Sequence, residues 1–259
     1  MSTTTMTAPT LDVSGTSRVP FPRLIAVELR KMADTRAGMW LLMAIGLVTA
    51  AIVTIFFFAA PDEERTFLGF MGATATPQGF LLPVLGILLV TSEWGQRTTL
   101  TTFVLEPSRT RVIAAKVVAA LLLGLAAIIV AIGIAALATV LAGEAGAWDN
   151  IGADDFGKFG ILQVSGILQG LAFGLIFLNS AAAIVTYFVL PIAFSIVATL
   201  WGALQDAAPW IDLGTSQQPL FGGVDVTGEQ WAQLATSSAI WILLPFVLGL
   251  VRVIRAEVK

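Results

Sequence analysis

Stretches of unbroken hydrocarbon set the terms for this chain. One of them, AALLLGLAAIIVAIGIAALATVLA, runs over residues 119–142 without a single charge. In lipid every backbone amide needs a partner inside its own segment, and about 20 apolar residues of helix cross the roughly 30 Å of hydrocarbon. Measured this way, six stretches are long enough to span, at residues 38–60, 67–91, 112–142, 160–178, 182–204 and 235–251. The second is expected to be broken by Pro77, Gly79 and Pro83, and the fourth and fifth are separated by a tight turn at Asn179 and Ser180. Only 12% of residues are charged and 57% are hydrophobic. A water-soluble domain carries charge at about a quarter of its positions, so the composition also asks for a bilayer. The fold class is therefore an all-α membrane protein of six helices over residues 37–254.

Orientation follows from the flanks. Placing the N-terminus inside puts Arg18, Arg23, Arg30, Lys31, Arg36, Arg97, Arg109, Arg111, Lys116, Arg252, Arg255 and Lys259 on the inner side. Only Arg65 and Lys158 fall outside, which is the asymmetry that membrane insertion produces. Both termini are expected in the cytoplasm. The first apolar run is too long and too far along the chain for a cleaved leader, so none is expected.

Between the spans the chain carries less regular segments. Residues 1–20 read as a disordered cytoplasmic tail rich in Ser and Thr. Over residues 21–36, Phe21, Leu24, Ile25, Leu29 and Met32 recur at helical spacing, with Arg23, Arg30, Lys31 and Asp34 opposite. That pattern predicts an amphipathic helix lying in the membrane interface. The loop over residues 203–237 mixes Pro, Gly and acids with Trp210, Leu213, Leu220, Phe221 and Trp231, which suits short helices at the outer interface.

The chemistry of the chain is notable for what it excludes. With neither Cys nor His it has no thiolate or imidazole for a metal or a nucleophilic mechanism, so no catalytic, cofactor-binding or metal-ligating residue is expected. GADDFGKF, residues 152–159, approaches the phosphate-binding G-x-x-x-x-G-K-[ST] but has Phe159 where the hydroxyl belongs and two acids beside it. Nothing points to nucleic acid. No Asp, Glu, Lys, Arg or His lies in a span away from its ends, where a proton or ion path would need one. Glu93 is the nearest, and helical spacing would pair it with Arg97 in a gating or capping role. Gly166, Gly170 and Gly174 form a small-residue stripe suited to helix packing or to a dimer seam, with Gln163 and Gln169 nearby. On the inner turn after Trp94, Leu100, Phe103 and Val104 make one apolar ridge on a short helix that Pro107 stops.

Two stretches carry a family likeness, VELRKMADTR before the first span and SEWGQRTTLTTFVLEPSRTRVIAAK between the second and third. With the six-span layout they resemble the permease subunits of type-2 ATP-binding-cassette exporters. Glu28, Lys31 and Arg36 stand where that family places charges in its interfacial helix. Glu93, Thr98, Leu100 or Leu105, Pro107, Arg109 and Lys116 follow the pattern around its cytoplasmic coupling helix, and Arg97 stands where the family often has Gly. The resemblance implies that Arg97, Thr98, Leu100, Phe103, Val104, Leu105, Pro107 and Arg109 meet a separate ATPase subunit, which holds ATP and magnesium. It implies a second permease subunit, a prokaryotic cytoplasmic membrane and efflux of a hydrophobic or amphipathic substrate. An ion-coupled carrier or a membrane scaffold is the alternative.

Overall fold

A computed structural model describes residues 18–149, 151–221 and 225–256. Most of the expected N-terminal tail, residues 1–17, lies outside them. Every regular element among the described residues is helical. Helix α1 (Phe21–Asp34) leads into α2 (Arg36–Ala59), followed by α3 (Phe67–Gly95), the short α4 (Thr99–Leu105), α5 (Arg109–Ala142), α6 (Ala153–Phe177) and α7 (Ser180–Leu200). Three short helices, α8 (Gly202–Gln205), α9 (Ala208–Ile211) and α10 (Leu213–Gln217), precede α11 (Gly228–Ser238), which passes through a π-helical stretch at Ala239–Leu243 into α12 (Leu244–Arg255). Six helices are long and apolar enough to cross a bilayer, counting α11 to α12 as one.

Local chemistry sets the breaks. Thr35 ends α1 in an extended conformation and its hydroxyl accepts from the Gly38 amide at 3.2 Å, starting α2. Arg36 therefore opens the first span and is not part of the amphipathic helix, contrary to the sequence expectation. Thr66 caps α3 in the same way through Gly69, and Asn179 caps α7 through Ala182. These side chains satisfy orphan amides at helix starts. Gly143, at φ 68°, closes α5 in the left-handed conformation that glycine adopts without strain.

Helices α3 and α6 form the buried centre, while α2 and α7 expose most of their apolar surface. The main core cluster joins Leu82, Leu85 and Leu89 of α3, Ile113 and Ala119 of α5, Ile167, Leu171 and Leu175 of α6 and Val253 of α12. Outward-facing Leu47, Phe58, Val140 and Leu200 are as apolar as the core, as expected where the surroundings are hydrocarbon.

The break expected in the second span does not occur. Pro77 and Pro83 lie inside an uninterrupted α3. Proline removes a single amide and membrane helices accommodate it, because neighbouring helices support the exposed backbone. Pro83 is moreover the point where α6 seats. A Cβ at Gly170 would lie 2.1 Å from the Pro83 carbonyl oxygen, and one at Gly166 3.4 Å from the Pro83 ring. Gly174 faces Ile87 and Val90, and across the same seam Gly86 meets the Ile167 carbonyl. Of the two roles considered for the glycine stripe, packing within the chain is the one observed. Its space is filled by α3 of the same chain. Gln163 is also committed to this packing, since its amide donates to Gln78 Oε1 at 2.7 Å while Gln78 donates to the Ala127 carbonyl at 3.2 Å. Three helices are thereby stitched together at mid-height.

The segment before the last span folds as short helices. Leu213, Leu220, Leu234 and Trp241 gather on Phe173 of α6, and the Trp241 indole donates to the Ile211 carbonyl at 2.7 Å.

Candidate functional site

The chain leaves α3 through a turn at Arg97, whose φ of 58° lies in the left-handed region. A residue with a Cβ is strained there and glycine is not. The turn also removes Arg97 from helical register with Glu93, so the expected pairing of the two does not form. Instead the Thr98 amide bonds the Glu93 carbonyl at 3.0 Å, and α4 begins at the next residue.

On α4, Leu100, Val104 and Leu105 are 52%, 69% and 71% exposed. Phe103, expected on the same ridge, turns the other way and packs against the main core. The exposed apolar face is thus shifted from the one the sequence suggested, since Phe103 leaves it and Leu105 joins it. Beyond Pro107, two arginines bolt the segment down. Arg109 places its guanidinium 5.0 Å from the Phe103 ring centroid and donates to the carbonyls of Val253, Ile254 and Ala256 at 2.6, 3.1 and 2.7 Å. A cation that covers the last carbonyls of a helix satisfies groups with no helical partner and meets the negative end of its dipole. Arg109 consequently ties α4 to the end of α12. Arg111 binds the Glu106 carboxylate at 2.6 Å and the Val19 carbonyl at 2.7 Å, joining the same segment to the start of α1.

Behind α4 lies a ring of four charges. Lys116 of α5, 3% exposed, donates to Glu28 of α1 at 2.6 Å, to Glu93 of α3 at 3.1 Å and to the Leu89 carbonyl at 3.0 Å. Lys31 closes the ring by donating to Glu28 at 2.7 Å and to Glu93. Two carboxylates and two ammonium groups balance, so the ring can stay ionised while buried. Through it, α1, α3 and α5 are held as one body. Lys31 had been assigned to the outward face of α1; it turns inward because both acids are there.

Burial lowers the Lys31 pKa, but Glu28 and Glu93 more than offset that, leaving it above the ordinary 10.5. A lysine pKa raised by folding stabilises fully below 10.5 and loses that contribution as pH climbs through the higher folded value. The stability advantage of the wild type over Lys31→Met in detergent should therefore stay constant up to about pH 10 and shrink as pH rises above 10.5. A constant difference between the two across pH 8–12 would show that the Lys31 charge contributes nothing.

Sequence spacing missed the ring because, apart from Glu28 and Lys31 on one helix, its bonded pairs are separated by 23 to 88 positions. The available signal was the presence of one Lys and one Glu at the same end of adjacent spans. A scan against protein-family models finds no match, and no curated protein matches the chain.

Proposed function

We propose that the chain is the membrane-spanning subunit of a transporter powered by a separate ATPase, with α4 as the element that receives the push. The observation that carries this reading is the build of α4: it offers Leu100, Val104 and Leu105 outward while Arg109 and Arg111 fasten its base to α12 and α1. A load on the apolar face would pass into the bundle through the Arg109 cap on α12 and the Arg111 link to the start of α1. Coupling of this kind needs two states with different contacts, and no reactive side chain. The acids near α4 are paired at one end of the bundle and the mid-height polar contacts are glutamines, which favours this reading over an ion-coupled carrier.

The resemblance to type-2 ATP-binding-cassette permeases extends the proposal. ATP and magnesium would sit on the partner, two permease subunits would flank the path, and a hydrophobic or amphipathic substrate would be exported across a prokaryotic cytoplasmic membrane with the α4 end inside.

The test is co-purification in mild detergent from the native host. Leu100→Asp with Val104→Asp should release a bound ATPase subunit while the permease keeps its melting temperature, since both side chains are exposed. Retention of the ATPase by the double variant, or no ATPase with the wild type, would overturn the reading. Phe103→Asp is the wrong probe, because its ring is packed inward beneath Arg109 and its loss would disturb the fold.

A further inference from the structure

Between α1 and α4 a half-enclosed slot of about 530 Å³ runs inward past the end of α3 to Ala115, nearly two turns along α5. Its walls are apolar, formed by Leu24, Val27, Leu105, Val112 and Ala115, and two of these are open to the surroundings, Val27 at 44% and Leu105 at 71% exposure. Glu28, Glu93 and Glu106 also border it, but each is matched, the first two by the lysines of the ring and Glu106 by Arg111. Arg23 is different. It borders the slot, is exposed, and has no acidic partner among the described residues.

We infer that this slot binds an anionic phospholipid, one acyl chain lying against Val27, Leu105 and Val112 and the phosphate on the Arg23 guanidinium. The charge balance selects the headgroup, since Arg23 is the one cation at the rim left without a counter-charge. Depth and polarity select the chain, because the slot descends from the helix termini to the level of the apolar segments. A flexible acyl chain fits such a space and buries the exposed Val27 surface, leaving the outward face of α4 open.

The experiment uses the full chain alone, so it does not depend on an ATPase partner. Delipidated protein in mild detergent is titrated with phosphatidylglycerol or with phosphatidylcholine of the same acyl chains, and bound lipid is counted by native mass spectrometry. Wild type should retain phosphatidylglycerol about fivefold more tightly, the effect expected of one basic residue at an anionic surface. Arg23→Gln should abolish the preference, while Arg30→Gln, on the same helix but away from the slot, should leave it intact. Val27→Trp, which fills the slot from an exposed position, should reduce retention of both lipids. Equal retention of the two lipids by wild type, equal effects of the two arginine changes, or indifference to Val27→Trp would each overturn the proposal. So would exclusion of lipid from the slot by a protein segment in the native complex.

Discussion

Replacing Lys116 with methionine is expected to destabilise the folded chain by about 3–5 kcal/mol, among the largest effects of any single change near α4. The side chain is 3% exposed and is the only group that bonds both Glu28 and Glu93 from the α5 side. Its removal leaves two buried carboxylates facing one lysine, and the excess negative charge has no water to relax into. Lys31 cannot serve both in its place, being a third exposed and already bonded to each. The double change Lys116→Met with Glu93→Gln restores the balance, leaving Glu28 with Lys31, and should recover most of the loss. Reversible unfolding of the four members of this cycle by SDS titration in mixed micelles measures the coupling directly. Additive losses would mean that the ring is held by its apolar frame and not by its charges.

The same ring shows where reading the chain in one dimension succeeds and where it stops. The six long helices were visible because hydrocarbon length is a property of contiguous residues. The amphipathic character of α1 and the stop of α4 near Pro107 were visible for the same reason. Pairings between segments were not. Glu93 seemed to belong with Arg97 because helical spacing assumes that the helix continues, and the left-handed turn at Arg97 ends it. Phe103 seemed to share a face with Leu100, but a seven-residue helix has its orientation set by what lies beneath, here the core and the Arg109 guanidinium. Pro83 was read as a break when it is the contact point for α6. In each case local propensity was sound and tertiary context decided the outcome. A partner is specified by neither propensity nor packing within one chain, so the α4 face is legible only as an exposed apolar surface.

That packing context supplies the second large effect. Gly170→Leu is expected to prevent α3 and α6 from associating, whereas Gly166→Ala on the same stripe should be close to neutral. At Gly170 an added Cβ would fall 2.1, 2.7 and 2.8 Å from the oxygen, carbonyl carbon and Cα of Pro83. These are backbone atoms and cannot swing away, so even alanine forces the two helices apart, at a cost of about 1–3 kcal/mol. The larger leucine would separate the central pair of the bundle along the seam, exposing the Gly86 contact with Ile167 and the Gln78–Gln163 bond. At Gly166 the Cβ meets only the Pro83 ring at 3.4 Å, an ordinary contact, and alanine gains up to about 1 kcal/mol in helix propensity. Gly174→Ala, with its nearest atoms at 3.1 and 3.3 Å, should fall between the two. Melting temperatures in detergent, with monodispersity by size exclusion, would rank the three positions. The order 166, 174, 170 from mildest to most damaging follows from the α3 contact alone. If Gly166→Ala were instead the most disruptive, and its effect appeared as altered oligomeric state with the melting temperature unchanged, the stripe would be acting between copies and the placement of α6 against Pro83 would be wrong.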